Sequence, residues 1–418
     1  MGDDLASVFR REAGRCTATL IRVLGEVDLA EDAVAEAFTI AAERWPTDGI
    51  PPNPGGWITT TARRRAIDRL RRESSRHDRQ RAAHRMWTSA MGPDPDRDPE
   101  LDDLDAFVDV VADDQLRLMF LCCHPALSVD AQVALTLRLL GGLEIPEIAR
   151  AFVVPEPTTA QRIVRAKRKL RDNNASYRIP PHAELPDRLG AVLAALYVIF
   201  TEGHTATSGD RLTRIDLSAE AIRLARVLVE LMPDEPEAVG LLALMVLTDA
   251  RRPARSAPDG RMVRLADQDR SLWDRRLIRE GHALVRACLR RNQPGSYQIQ
   301  AAIAAVHADA PVAAATDWAQ IVALYDQLFA LRPNPVVALN RAIAVGELRG
   351  AADGLAALDG VDAERLAEYQ PYHAARADLL ARAGRTSDAI AAYDRAITLT
   401  TNAAERDFLT RQLRALDV

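Results

Sequence analysis

Cysteine is scarce, four in 418 residues, too few for a disulfide framework. Cys16 and Cys288 stand alone, and Cys122 and Cys123 are adjacent, a poor geometry for pairing with each other. The expected compartment is a reducing cytoplasm. Aromatics make only 5% of the chain, and no sustained apolar/polar alternation carries β-branched residues, which excludes a core built on sheets. The longest apolar run, Gly190 to Phe200, is too short to span a bilayer. Met1-Gly2-Asp3-Asp4 lacks the basic and apolar segments of a signal peptide, so no membrane partner is expected. Neither a phosphate-cradling glycine loop nor a nucleophile elbow is present. Cys122-Cys123-His124 lacks the two-residue gap usual in zinc sites and reads as buried thiols. No cofactor, metal or enzymatic activity is expected.

What is present is ordinary globular composition, 48% hydrophobic and 27% charged, in a length that suits two to four domains. The net charge of −5 hides segregation. Residues 63–85 carry ten arginines and three acids, residues 94–114 ten acids and one arginine, and residues 158–171 six basic groups and no acid. Each block alone reads as a solvated face; their alternation invites placement on secondary structure.

Helical signals dominate, so the predicted fold class is all-α. Asp28 with Glu31 reads as a capping-box variant opening a helix. Its apolar stripe is Leu29, Ala33, Ala37 and Ile40, widened by Val34, Phe38 and Trp45, and Pro46 is expected to stop it. A proline- and glycine-rich loop over 46–56 follows. A second helix is predicted from near Trp57, burying Ile58, Ala62, Ala66 and Leu70 and turning Arg63, Arg64, Arg65, Arg69, Arg71 and Arg72 outward, where they could track a phosphate backbone. Trp57 either packs at the helix start or stacks on a base.

The second basic block sits on a helix-turn-helix pattern. Ser128 is read as capping a helix with Val129, Val133, Leu137 and Leu140 on one side, ended by Gly141-Gly142. A short helix over Pro146 to Phe152 turns Ile148, Ala149 and Phe152 inward. Thr158 with Gln161 is read as opening the next helix, which buries Ala160, Ile163, Val164 and Leu170 and exposes Thr159, Gln161, Arg162, Arg165, Arg168 and Lys169. In this geometry the second helix enters the major groove with its N-terminal residues on base edges. Thr159 and Arg162 are best placed for bases, and Arg165, Arg168 and Lys169 for phosphates.

The two segments together resemble the extracytoplasmic-function sigma factors, specificity subunits of bacterial RNA polymerase. The resemblance rests on Asp28-Leu-Ala-Glu-Asp-Ala-Val-Ala-Glu-Ala-Phe38, on the run from Asn53-Pro-Gly-Gly-Trp57 to Arg72, on Leu127 to Gln132, and on Ile148 to Phe152 followed by Gln161 to Leu170. It covers about 1–75 and 115–172. It implies a sigma region 2 helical bundle over 1–75, an acidic linker over 76–115 and a sigma region 4 helix-turn-helix over 116–178. Asp28, Glu31, Asp32, Glu36 and Phe38 would dock on the β′ clamp helices of the core polymerase, which is also contacted through its β subunit. Asn53, Trp57, Arg63, Arg64, Arg65 and Arg69 would serve the −10 element, with the 46–56 loop receiving an extruded base. The 158–170 helix would read the −35 element of promoter DNA. The acidic stretch 94–114 would thread near the RNA exit path or serve as a plain tether. One departure is Ile145-Pro146, where a polar cap is usual.

Residues 179–418 read as a helical repeat. Tyr325-Asp326 and Tyr393-Asp394 are 68 apart, as are Leu331 and Leu399, twice the tetratricopeptide period of 34. A tetratricopeptide-like α-solenoid is expected, with an irregular helical bundle as the alternative. Such a domain resembles one subgroup of these sigma factors, in which it affects activity in cis and could take a protein or small-molecule partner. Ile199 to His204 and Gly260 to Trp273 look like that subgroup's motifs, giving Glu202, His204, Asp269 and Trp273 as inter-domain or turn residues. The expected function is promoter-specific transcription initiation. The rival is a helix-turn-helix regulator with a tetratricopeptide-type sensor, which would not need the 28–73 unit.

Overall fold

The computed structural model describes residues 2–84, 114–152, 154–173, 175, 177–178, 180, 184–206, 208–209 and 213–416. The acidic stretch 94–114 lies outside them except for Asp114, as do the side chains of Leu70, Arg71, Arg72 and Phe152. The described residues are helical apart from connecting turns and a two-residue parallel strand pair. The chain divides into two compact units, 1–149 with 155–195 and 150–154 with 196–418.

The first unit begins with α1 (Gly2–Leu24), α2 (Val27–Asp48) and α3 (Pro54–His84), which pack on one another. Helix α2 buries Ala30, Ala33, Val34, Ala37, Phe38, Ala41 and Trp45, one stripe at helical spacing. Its N-cap is Glu26, two residues before the expected Asp28, and no side chain caps it. Pro46 does not stop it. The helix runs to Asp48 and ends at Gly49, whose φ of 81° suits only a residue without Cβ and whose N–H reaches the Trp45 carbonyl. A proline so near the end sacrifices a single intrahelical bond, which the Gly49 turn replaces.

Helix α3 starts at Pro54, earlier than Trp57, so the loop shrinks to 49–53. Pro54 sits where a missing N–H costs nothing. Asn53 supplies the cap, its side-chain oxygen accepting from Gly56 N at 2.9 Å.

Residues 114–122 form α4, followed by α5 (Val129–Leu139), α6 (Ile145–Phe152) and α7 (Glu156–Asp172). Helix α5 is buried nearly all round, except that Val129 is 50% exposed, against expectation, because it occupies the first turn outside the packed face. Gly14 of α1 lies so close to α5's end that an added Cβ would fall 2.5 Å from the Leu140 carbonyl oxygen. Gly142, at φ 66°, faces Phe9 and Ala13. Ahead of α6, Glu147 Oε2 accepts from Glu144 N at 2.7 Å. This reciprocal half of a capping box replaces the polar cap missing at Ile145-Pro146. The Asp114 carboxylate is fully buried between Arg22, at 2.9 Å, and Arg117, at 3.1 Å, and the Tyr177 hydroxyl donates to the carbonyls of Ala18 and Asp114.

Helix α8 (Leu185–His204) belongs to both units. The second unit continues with α9 (Ile215–Leu231), α10 (Pro236–Asp249), α11 (Arg275–Arg291), α12 (Ser296–Asp309), α13 (Trp318–Leu331), α14 (Pro335–Arg349), α15 (Ala351–Asp359), α16 (Gln370–Arg382), α17 (Thr386–Leu399) and α18 (Ala403–Arg414). Helix α10 is apolar on every side and buried from Ala238 to Leu247, so neighbours surround it. Helices α13 and α17 start and end 68 residues apart, and α14 and α18 start 68 apart. Strand β1 (Ser208–Gly209) pairs in parallel with β2 (Thr401–Asn402). The wholly buried Asn402 side chain accepts from Ala404 N and Glu405 N, capping α18, and donates to the Ala206 carbonyl at 2.9 Å.

Candidate nucleic-acid and polymerase interface

Helix α7 buries Thr159, Ile163, Ala166 and Leu170, spaced by four, three and four residues. The helix starts at Glu156, two residues before the expected cap Thr158, with Pro155 as N-cap and Pro157 in the first turn. Two expectations therefore fail. Thr159, expected on base edges, is 2% exposed, and Val164, expected in the core, is 62% exposed. The observed stripe keeps Ile163 and Leu170 but has Thr159 and Ala166 in place of Ala160 and Val164, a rotation of roughly 60° about the helix axis. Gln161, Arg165, Arg168 and Lys169 are exposed. Arg162 is half-buried, with Nη2 3.4 Å from Asp130 of α5, and Arg168 lies 3.6 Å from Asp172. Ser128, Gln161, Arg162, Arg165 and Lys169 line a groove of about 350 Å³ between the two helices.

On α3, Ile58, Ala62 and Ala66 are buried as predicted and Arg63 and Arg64 are exposed. Arg65 lies 3.5 Å from Glu36 and Arg69 3.3 Å from Asp32, so two expected DNA ligands pair with two expected docking acids. Trp57 is half-buried and meets the Trp45 ring edge-on at 5.4 Å. Asn53 stays exposed while capping α3. Phe38 is buried, 4.6 Å from the Phe9 ring, and presents no surface for docking. It occupies a core position of α2, between Val34 and Ala41.

The other two docking acids hold basic groups that the sequence reading did not single out. Lys167 Nζ donates to Asp28 Oδ1 at 2.7 Å and to Glu31 Oε2 at 2.6 Å. Arg171 reaches Asp28 at 2.8 Å, and Arg138 of α5 reaches Glu31 at 2.5 Å. Burial disfavours the Lys167 ammonium, but Glu31 and Asp28 outweigh it and hold its pKa above the ordinary lysine value; Arg138 is raised in the same way, burial opposed by Glu31 and Glu144. Lys167 falls inside the basic block 158–171, so its charge was visible; its partner 136 positions away was not.

The four residues expected at turns or contacts are accounted for inside the second unit. Glu202 is buried, 3.6 Å from Arg214. His204 stacks on Phe200, and burial followed by Arg255 pushes its pKa well below the usual imidazole value. Asp269 accepts from Ser271 N at 2.9 Å, capping a short turn. Trp273 is buried under the Arg270 guanidinium, 4.5 Å from the ring centroid. The four cysteines are free and buried. Burial pushes the Cys16 and Cys123 thiols up to about 12, so they are poor nucleophiles. Among the described residues, no group of three or more His, Cys, Asp or Glu could hold a metal, and no helix is long and apolar enough to cross a membrane.

Sequence comparisons decide the family. The family model for Sigma-70 region 2 matches residues 8–76, and that for Sigma-70 region 4 matches 117–170, the segments that carry α3 and α7. The chain is 25% identical to the probable ECF RNA polymerase sigma factor SigI of Mycobacterium tuberculosis over 43% of its length, and 31% identical to the ECF RNA polymerase sigma factor SigJ of the same species over 42%. The chain belongs to the extracytoplasmic-function sigma factors. This sigma factor spans 58% and 53% of those two relatives. It is also 41% identical to the uncharacterized protein R00370 of Rhizobium meliloti over 98% of its own length and 95% of that protein's. Residues 188–289 match a family of unknown function, DUF6596. No solved structure matches the sigma factor.

Proposed function

We propose that this sigma factor directs core RNA polymerase to promoters, with no enzymatic activity of its own. In this reading α3 serves the −10 element, α7 reads the −35 element, and the acidic face of α2 docks on the β′ clamp helices. The observation that carries it is the matching of both sigma regions, in order, to the two segments whose exposed basic residues lie on α3 and α7. A regulator that binds only duplex DNA would need α7 alone. Base reading falls to Gln161, Arg162 and Arg165, in the N-terminal part of α7, and phosphate contact to Arg168 and Lys169, nearer its C-terminal end. The proposed boundaries are 1–75, 76–115, 116–178 and 179–418.

The C-terminal helices are proposed to form a tetratricopeptide-like domain that regulates activity in cis. The 68-residue interval between α13 and α17, and the packing of each helix from α10 to α18 on a neighbour, support this reading. The deciding experiment is promoter-dependent transcription with purified core polymerase. Transcripts that start at one promoter class and require the chain are expected; none with a competent core would sink the proposal. A version ending after His204 would then report whether the later helices activate or inhibit. It must keep Tyr177 and Arg188, which bond Ala18, Asp114 and Phe120.

A further inference from the structure

Six arginines lie in the connection from Ala250 to Asp274 that joins α10 to α11. The connection is folded on itself: Asp274 N donates to the Ala250 carbonyl and Val263 N to the Arg255 carbonyl, each at 2.9 Å. All but one of the arginines have partners. Arg252 pairs with Asp249 at 3.1 Å, Arg264 with Asp267 at 2.8 Å, and Arg261 with Asp259. Arg255 donates to the His204 carbonyl at the end of α8 and to Thr205 Oγ1 at 2.9 Å. Arg270 donates to the carbonyls of His307 and Ala310, at 2.6 and 2.7 Å, at the end of α12. Arg255 and Arg270 thus satisfy carbonyls that a helix end leaves unpaired.

Arg251 is the exception. It is half-buried, and among the described residues its guanidinium has no hydrogen-bond or ion-pair partner. Burial, then the Arg270 charge, pushes its pKa down to about 10, and only Tyr325 acts the other way. The group therefore stays charged at neutral pH while recessed from water and without a counter-charge, a costly arrangement. Its neighbours are groups that can donate. Burial, then Arg255 and Arg251, lowers the His204 pKa, and burial, then Arg251, lowers that of His307, so both rings lie near Arg251; Nδ1 of each is buried without a partner. The Tyr325 hydroxyl, half-buried on α13, is likewise unbonded among the described residues. A guanidinium, a phenol and two imidazoles, gathered from α8, α12, α13 and the connection, suit an oxyanion.

We propose that Arg251 anchors a binding site in the C-terminal unit for a small molecule carrying a phosphate or carboxylate group, with the Tyr325 hydroxyl as a second donor. The guanidinium fork matches the oxygens of either group. Partial burial of Arg251 and Tyr325 admits a compact group and not an extended surface. The site lies wholly within the second unit and does not depend on the sigma-factor reading. A ligand that binds only the folded unit stabilises it by mass action.

The test titrates the full-length chain with inorganic phosphate and, separately, with succinate, followed by isothermal titration calorimetry and thermal unfolding. Chloride holds the ionic strength constant, which removes screening effects. Saturable heat and a rise in Tm of about 2–4 °C are expected with at least one of the two, and the one that acts identifies the source of the oxyanion. Saturation separates binding from the general exclusion of such salts from protein surfaces. Arg251→Met should weaken binding at least about tenfold. It should also leave the Tm without anion unchanged or higher, because an uncompensated charge is removed. Arg251→Lys should keep part of the affinity, and Tyr325→Phe should lower it severalfold. Arg261→Met, which removes an exposed charge from the same connection, should bind as the unaltered chain does. If Arg251→Met loses helical content by circular dichroism, the Arg251→Lys and Tyr325→Phe titrations decide. Saturable binding of neither anion, or binding that these substitutions leave unchanged, overturns the proposal.

Discussion

Lys167 Nζ lies 2.6 Å from Glu31 Oε2, joining α7 to α2 across 136 positions of sequence. Glu31 also carries Arg138, so one half-buried carboxylate serves two cations. Replacing Glu31 by Gln should lower the unfolding free energy of the first unit by about 1–3 kcal/mol, because both cations lose a charge-assisted partner. Urea titration followed by Trp45 and Trp57 fluorescence reads this. The pH dependence has a definite sign. The Lys167 pKa is raised on folding, so its contribution is fully present below the unfolded value near 10.5 and is lost only as pH rises through the folded one. Between pH 7 and 9 the unaltered chain should show no change from this pair, and a drop on that interval would contradict the assignment.

Thr159 and Arg165 should separate cleanly. Thr159→Val acts on a buried position of α7 and is expected to leave promoter preference unchanged. Arg165→Ala removes an exposed groove cation, and should cost about 1–3 kcal/mol on the preferred −35 sequence if it reads a base. Holoenzyme binding to a panel of −35 variants measures both. Equal loss from the two substitutions would place the reading face elsewhere on α7.

Gly14 should resist any side chain. In Gly14→Ala the new Cβ meets the Leu140 carbonyl oxygen, and either α1 or the end of α5 must shift, at about 1–3 kcal/mol. Hydrogen exchange at the amides of α5 should accelerate. Gly25→Ala is the contrasting case: it has open space around it but a φ of 74°, so it strains the local turn and should leave α5 protection intact.

Burial, then Arg251 and Arg270, push the His307 pKa down to about 4. The neutral ring is therefore favoured by folding. Its contribution is complete above the unfolded value near 6.5 and declines as pH falls from there toward 4. Thermal unfolding of the full chain should show this acid limb. His307→Gln should flatten it while lowering stability at pH 7, since the ring packs edge-on against Trp318 at 5.2 Å.

Much of this was legible in the sequence because it depends on local periodicity. The buried stripe of α2 and the Ile58, Ala62, Ala66 face of α3 follow from spacing alone. Helix ends were less legible. Pro46 was read as a stop, yet Gly49 sets the end, because a proline within the last turn removes one bond where a positive φ redirects the chain. The expected and observed faces of α7 share Ile163 and Leu170 but differ at Thr159 and Val164, which both suit a core boundary, and only packing against α5 chooses between them. The exposed cations of α3 and α7 were visible as charge, but the partners of Arg65, Arg69 and Lys167 were not. Ion pairs between distant helices leave no spacing to count.

The pairing of Ser208 with Thr401, sealed by Asn402 on the Ala206 carbonyl, has a bearing on synthesis. These contacts span about half the chain, and a contact of such sequence separation forms late. Residues 1–195 can leave the ribosome and fold while the partner of Ser208 has yet to be translated. For that interval the promoter-reading half exists beside an unfinished C-terminal unit. That unit is complete only once Asn402 has emerged.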